Sequence, residues 1–357
     1  DFAGFTVTLS EDIDLQGVDF QPIGTADNKF NGTFDGQGKT ISNLKIENDN
    51  MGAMFAYVGA NTVIKNFKLE NVNIKAKFAA GILSEGNDNV VVEDITVSGN
   101  VEGDSYAAGI VCLNSYNADP AVVIKNCVNN ATVSGNRSGG IAAWLTGNSV
   151  IENVVNNGNI TGTTSAAGIT NRIAGSIKNA KNYGTIVGNG SEASAGIAGT
   201  QTAVSTYEYC YNYGNVTTTK DNPNSSAAGI LGQTPSAKAT FNYCANYGTI
   251  TAEQSYAAGI GYSLYGSIVA NYCYNEGAVN GADGAGAIAP KAQYGANDTA
   301  NYCLNAGTVA SANGKVYQGS NKNNYCYYYN GELFNVADNT VADVTAALAV
   351  LNGGADA

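Results

Sequence analysis

The sequence predicts an all-β protein: a single-stranded, right-handed parallel β-helix, a solenoid with atypical first coils and a short C-terminal capping helix. Two recurring phrases and an unusual composition predict it. The first phrase is seen in Asn271-Tyr-Cys-Tyr-Asn-Glu-Gly-Ala-Val279, and its copies start at Cys127, Val154, Ala180, Cys210, Cys244, Cys273 and Cys303. The second, Ala-Ala-Gly-Ile, anchors at Gly81, Gly109, Gly140, Gly168, Gly196, Gly229, Gly259 and Gly286, in steps of 28, 31, 28, 28, 33, 30 and 27 residues. An uneven period near thirty is the mark of stacked units with loops of variable length. The composition has 44 glycines and only 13% charged residues, which suits short strands and tight turns better than amphipathic helices.

At the N-terminus, Phe5-Thr-Val-Thr-Leu9 and Glu11-Asp-Ile-Asp-Leu15 alternate as strands do. Phe20-Gln-Pro-Ile-Gly24 follows, and then Phe30 to Leu44, where Gly32, Gly36 and Gly38 punctuate short apolar segments. Residues 1–50 are expected to cap the open end of the stack. Residues 51–335 are expected to form the repeat coils, and 336–357 a helical cap or a junction to another domain, all in one continuous domain.

Within the repeats, Lys65-Asn-Phe-Lys-Leu-Glu70 and Glu93-Asp-Ile-Thr-Val-Ser98 alternate as half-buried strands. Phe67 and Ile95 hold the register that Cys occupies later. Asn-x-Gly then makes a turn (Asn182-Tyr-Gly184, Asn212-Tyr-Gly214, Asn246-Tyr-Gly248), in which glycine is expected to supply φ > 0. A second short strand, a variable polar loop and the Ala-Ala-Gly-Ile strand complete a unit of three strands. Small residues in that last strand let two walls of a narrow coil approach. Units restacking at about 4.8 Å make a parallel β-helix, right-handed because parallel crossovers nearly always are. The phrase fails at Cys326-Tyr-Tyr-Tyr-Asn-Gly331, where the array ends. Beyond it Thr340-Val-Ala-Asp343 starts a helix with Val344, Leu348 and Leu351 on one face and Gly353 as its stop.

The opening run, from Asp12-Ile-Asp-Leu15 through Pro22-Ile-Gly24 and Gly32-Thr-Phe-Asp-Gly36 to Ile41-Ser-Asn-Leu44, is similar to that of GLUG-motif bacterial surface proteins. The downstream phrases also resemble that family, although Ala-Ala-Gly-Ile stands where the family favours Gly-Gly-Leu or Gly-Gly-Ile. The resemblance implies an exported, adhesin-like β-helix. It transfers no catalytic residues.

Six of the seven cysteines share one register: Cys127, Cys210, Cys244, Cys273, Cys303 and Cys326. In-register rungs put equivalent Cβ atoms about 4.8 Å apart, beyond the roughly 3.5–4.5 Å of a disulfide. Stacked, buried thiols are therefore expected. Zinc is not, since there is no histidine. Asn129, Asn156, Asn182, Asn212, Asn246, Asn275 and Asn305 fall in a second register, where a structural amide ladder would satisfy buried polar groups.

The net charge of −12, with Arg137 and Arg172 the only arginines, excludes a nucleic-acid binder. No apolar run approaches the roughly 20 residues of a membrane span. The chain opens at Asp1, as an exported form whose signal has been removed would.

The candidate binding residues are tyrosines. Flanking an inward Cys, Tyr209, Tyr243, Tyr272, Tyr302 and Tyr325 form one outward column, and Tyr211, Tyr274 and Tyr327 part of a second. Each offers an apolar face and a polar tip to a sugar ring or a protein. The alternative is that they only stabilise the sheet. Acidic residues gather at Glu85, Asp88, Glu93, Asp94, Glu102 and Asp104 without in-register pairing, so neither the carboxylate pair of a glycosidase nor calcium spacing is evident. Gly281-Ala-Asp-Gly-Ala-Gly286 lacks the Lys-Ser/Thr of a phosphate loop. No cofactor and no catalytic set is expected.

The expectation is a monomeric, extracellular or cell-surface protein that binds host or dietary glycans or surface proteins through these tyrosines or through loops such as 217–226. A polysaccharide hydrolase or lyase and a non-binding spacer are the alternatives.

Overall fold

Period-two alternation gives each strand one face for the core, and an unbroken thirty-residue repeat brings equivalent faces together. The computed structural model describes residues 2–114, 121–220, 222, 224–290, 297–317, 322–324, 326–329 and 333–335. They fall in two compact units, Asp1–Thr185 and Ile186–Ala357. Each is an all-β parallel solenoid, and no helix occurs among the described residues.

In the first unit the strands are long. Val63–Ala80, Val90–Ala108 and Ala142–Asn156 each run through corners of the coil, marked by register shifts such as those between Leu69 and Val72 and between Ala76 and Phe78. The pairings in this unit are parallel, and between the register shifts equivalent residues face each other. Phe34, Ile64, Val92, Ile124, Ile151 and Ile177 are successive partners, and all are buried. The N-terminal strands Thr6–Thr8 and Ile13–Asp14 also pair in parallel, with Thr33–Ser42, and the ring of Phe2 lies 5.6 Å from that of Phe30.

In the second unit a coil is cut into more pieces than expected. Lys238–Asn242, Ala245–Asn246, Ile250–Ala252, Tyr256–Ala258 and Gly261–Ser263 make five short strands instead of three. Two breaks explain the difference. Tyr243 takes a left-handed backbone, and Gly259-Ile260 turns the chain between the last two strands. The core column is Tyr207, Phe241, Ala270 and Ala300. Parallel pairing ends at Tyr327–Tyr329, which pairs antiparallel with Leu333–Asn335, where the phrase fails. The expected helix within 336–357 lies outside the described residues.

Both internal columns form. All seven cysteines are buried and free. Three of the second unit direct their thiols at the preceding coil: Cys244 Sγ to Tyr207 O at 3.4 Å, Cys303 Sγ to Ala270 O at 3.5 Å and Cys326 Sγ to Ala300 O at 3.3 Å. Burial, foremost, pushes the Cys244, Cys273 and Cys303 thiols well above their ordinary pKa. The buried asparagines make the amide ladder. Asn129 Nδ2 donates to Asn156 Oδ1 at 2.7 Å and Asn156 to Asn182 at 2.8 Å. In the second unit, Asn212, Asn246, Asn275 and Asn305 are linked the same way at 2.8, 2.8 and 2.7 Å. Each Nδ2 also donates to a carbonyl two residues on, as Asn246 does to Gly248 O at 2.9 Å.

The expected φ > 0 at the glycine of Asn-x-Gly is not what the turn uses. Gly184, Gly248 and Gly277 avoid the left-handed region. Glycine is needed because a Cβ there would stand 1.9–2.0 Å from the carbonyl oxygen of the equivalent glycine in the preceding coil. The glycine of Ala-Ala-Gly-Ile is confined similarly. A Cβ on Gly109 would lie 2.3 Å from Asn129 Oδ1, so this wall packs directly on the amide ladder.

Candidate functional site: an exposed tyrosine ladder

The left-handed backbone falls one residue before the cysteine register. In the first unit that position holds Asn66, Asp94, Asn126, Asn153 and Asn179, with φ between 51° and 64°. Asparagine and aspartate accept this conformation because their short polar side chains bond locally. In the second unit the same position holds Tyr209, Tyr243, Tyr272 and Tyr302, with φ of 53–56°. A bulky side chain is disfavoured there by about 1–2 kcal/mol.

These four tyrosines form a ladder. Neighbouring ring centroids are 5.1, 5.0 and 5.1 Å apart, with planes within 8° of parallel. Tyr209, Tyr243 and Tyr272 are 42–46% exposed and Tyr302 is half-buried. The ladder therefore shows solvent a row of ring edges and hydroxyls, and the faces are largely taken up by one another. The sequence suggests face-on stacking with sugar rings. The geometry leaves that mode to the outer faces alone. Tyr325 lies outside the described residues.

The second column is less regular. Tyr211 and Tyr274 flank Ala245 in register and are half-buried. Tyr274 donates its hydroxyl to Glu276 Oε2 at 3.0 Å, and burial, then this carboxylate, lifts its pKa beyond the ordinary tyrosine range. Of the side chain of Tyr327 the structure describes nothing.

A third pair escapes the sequence reading: Tyr213 and Tyr247, the middle residues of two Asn-x-Gly turns. Their exposed rings stack at 4.8 Å and 4°, and Tyr247 meets Tyr274 edge-on at 5.9 Å. The signal was in the phrase, since Tyr recurs at that place in consecutive copies.

Outer amide ladders run beside these positions. Asn271 Nδ2 donates to Asn242 Oδ1 at 2.9 Å and Asn301 Nδ2 to Asn271 Oδ1 at 2.8 Å, while Asn242 Nδ2 reaches Glu208 Oε1 at 3.5 Å. In the first unit the file is Asn179 to Asn153 to Asn126 to Asp94, at 2.8, 3.2 and 3.0 Å.

The acidic residues at 85–104 are dispersed among cross-coil contacts. Glu93 pairs with Lys125 at 2.9 Å, Glu102 with Lys75 at 3.1 Å, and Asp88 accepts from the Ala121 amide at 3.2 Å. Glu85 is half-buried, and burial, foremost, raises its pKa. The two arginines lie against aromatic rings, Arg137 at 5.7 Å from the Tyr106 centroid and Arg172 at 4.9 Å from Trp144.

The class so defined is a parallel β-solenoid carrying an external tyrosine ladder. No protein-family model matches the chain. Over 106 residues it is 32% identical to Halomucin of Haloquadratum walsbyi (strain DSM 16790 / HBSQ001), a stretch covering 29% of this chain and 1% of that protein. The chain thus matches about one hundredth of that relative's length. Among solved structures it is similar to a protein of Bacteroides ovatus described as a candidate immunoglobulin A1 protease. The TM-score is 0.48 at 21% identity, covering 73% of this chain and 72% of that one.

Proposed function

We propose that this chain is an exported, cell-surface binding module, adhesin-like in use, whose target contacts the Tyr209–Tyr243–Tyr272–Tyr302 ladder. One observation carries the proposal. Tyrosine stands, exposed, at a backbone position where asparagine serves in the first unit and where a bulky residue is strained. The three stacked pairs return about 0.5–1.5 kcal/mol each, which offsets only about half of the backbone cost of the four residues. Strained backbone that stability does not explain is a pointer to function. The target is a glycan or a surface protein. The resemblance to GLUG-motif surface proteins points the same way.

The test is to replace all four tyrosines by asparagine and pass wild type and variant over immobilised glycans, mucins and matrix proteins. The variant should keep its far-ultraviolet circular dichroism and lose retention. Unchanged retention by the folded variant removes the ladder from the account. Release of soluble sugar by the wild type would instead favour a polysaccharide-cleaving enzyme.

A further inference from the structure

Resting on that proposal, we infer that the surface protein the ladder meets is a second copy of this chain, the two stacks lying antiparallel with their tyrosine rows face to face.

The face that carries the ladder holds few charges. In the first unit the column two residues before the cysteine register runs Lys65, Glu93, Lys125, Glu152 and Lys178, successive partners of alternating sign. Lys125 reaches Glu93 at 2.9 Å. Such a column belongs on a solvated face. In the second unit the same column is Glu208, Asn242, Asn271 and Asn301. The strands on either side of the ladder (205–212, 238–246, 267–275 and 299–305) carry two charges, Glu208 and Lys238. Depletion of charge together with enrichment of tyrosine is the composition of the core of a protein–protein interface.

A second copy fits this row better than an unrelated surface. The rings repeat every 5.0–5.1 Å, and another coil stack presents the same group at every coil, on the same side, at that same step. A hydroxyl both donates and accepts, so a row of tyrosine hydroxyls complements an identical row, as rows of amines or carboxylates do not. Tyr209, Tyr213, Tyr243, Tyr247 and Tyr272 are 38–46% exposed, which amounts to roughly 400–500 Å² together. That is over half of the roughly 800 Å² a side in a standard interface, and half-buried neighbours such as Thr240 and Asn271 add to it. The contact is therefore weak and reversible, with a dissociation constant on the order of micromolar.

Charge selects the direction. A two-fold axis along the stack would set the two Glu208 carboxylates beside each other. An axis across the stack, between Tyr243 and Tyr272, separates them by three coils, about 14 Å, and brings each opposite Asn301 of the other copy. The same axis sets Glu276 opposite Tyr247, whose hydroxyl can donate to it.

The test is sedimentation equilibrium of the full chain over a concentration series spanning the micromolar range, beside the retention assay above. The chain should pass from monomer to dimer, and more readily at high salt, which screens the repulsion between two chains of charge −12. Tyr243→Asn removes two central contacts by symmetry and should weaken the dimer about tenfold or more. Tyr209→Asn, at the end of the row, should weaken it less. Asn301→Lys should strengthen it severalfold, because the symmetry lets it meet Glu208 twice. Circular dichroism checks that each variant is folded. A dimer that Tyr243→Asn or Asn301→Lys leaves unchanged overturns the inference. A chain that stays monomeric at every concentration yet is retained on glycans or matrix proteins overturns it and leaves the surface-binding proposal standing. A monomer that nothing retains overturns both.

Discussion

Replacing Asn246 by alanine tests the buried amide ladder at its middle. Three polar groups lose a partner: the Gly248 carbonyl, 2.9 Å from Asn246 Nδ2, Asn275 Oδ1 at 2.8 Å, and Asn212 Nδ2, which donates to Asn246 Oδ1 at 2.8 Å. All three asparagines are fully buried. An unsatisfied buried group costs about 1–3 kcal/mol. Asn212 Nδ2 keeps a second bond, to Gly214 O at 2.8 Å, while Asn275 Oδ1 is left with no donor among the described residues; at about 1–2 kcal/mol for each of the three groups the total is about 3–6 kcal/mol. The control is Asn271→Ala. Its side chain also bridges two coils, at 2.9 and 2.8 Å, but in a half-buried row where water can substitute. Its loss should cost below about 1 kcal/mol. Guanidinium unfolding followed by circular dichroism compares them, with the slope checked because solenoids need not unfold in two states. Equal shifts for the two variants would refute the claim that the inner ladder holds the stack together.

Two further outcomes follow from buried titratable groups. With all seven cysteines buried out of a reagent's reach, a thiol reagent such as Ellman's should find no reactive cysteine in the folded protein at pH 8 and all seven after denaturation; rapid labelling of the folded chain would mean that the column opens. Asp298 is buried, accepts from the Ile268 amide at 2.8 Å, and has its pKa raised by burial from 3.8 to about 6. Its raised folded value means that its contribution is fully present below about pH 3.8 and is lost as pH rises through 6. Asp298→Asn keeps an acceptor without the charge. It should therefore be more stable than wild type at pH 7.5, by on the order of 2–3 kcal/mol, and equal to it at pH 4; a gap independent of pH in thermal melts would show that the carboxylate stays neutral or is well solvated.

The coils were legible because a solenoid repeats its constraints. Asn156 and Asn246 share a place in the phrase, and one ladder rule accounts for both. The cysteine register reads correctly from spacing alone, because the step between coils is too long for a disulfide and Val154 and Ala180 show that the site needs only a small apolar group. What the phrase concealed was the backbone between its letters. Asn126, Asn153 and Asn179 before that register were a sign of the left-handed conformation. Tyrosine at the same place hides it, since tyrosine has no such preference. Ring orientation was hidden for a related reason. A column of tyrosines looks like a platform on paper, but identical planar side chains about 5 Å apart find each other before they find a ligand. Tyr213 and Tyr247 stay hidden in the sequence because Asn and Gly on either side explain the turn without them.

The amide rows have a direction. The buried row donates towards the C-terminus, from Asn129 to Asn156 to Asn182. The outer row of the same unit donates the other way, from Asn179 through Asn153 and Asn126 to Asp94. A carboxylate can only accept, so Asp94 dictates which way Asn126 faces, and each amide then dictates the next. A member that flips alone must exchange its partners in the row for water. The direction of the whole exposed file thus traces back to one side chain, and Asp94→Asn, which can donate as well as accept, would leave it with no fixed end.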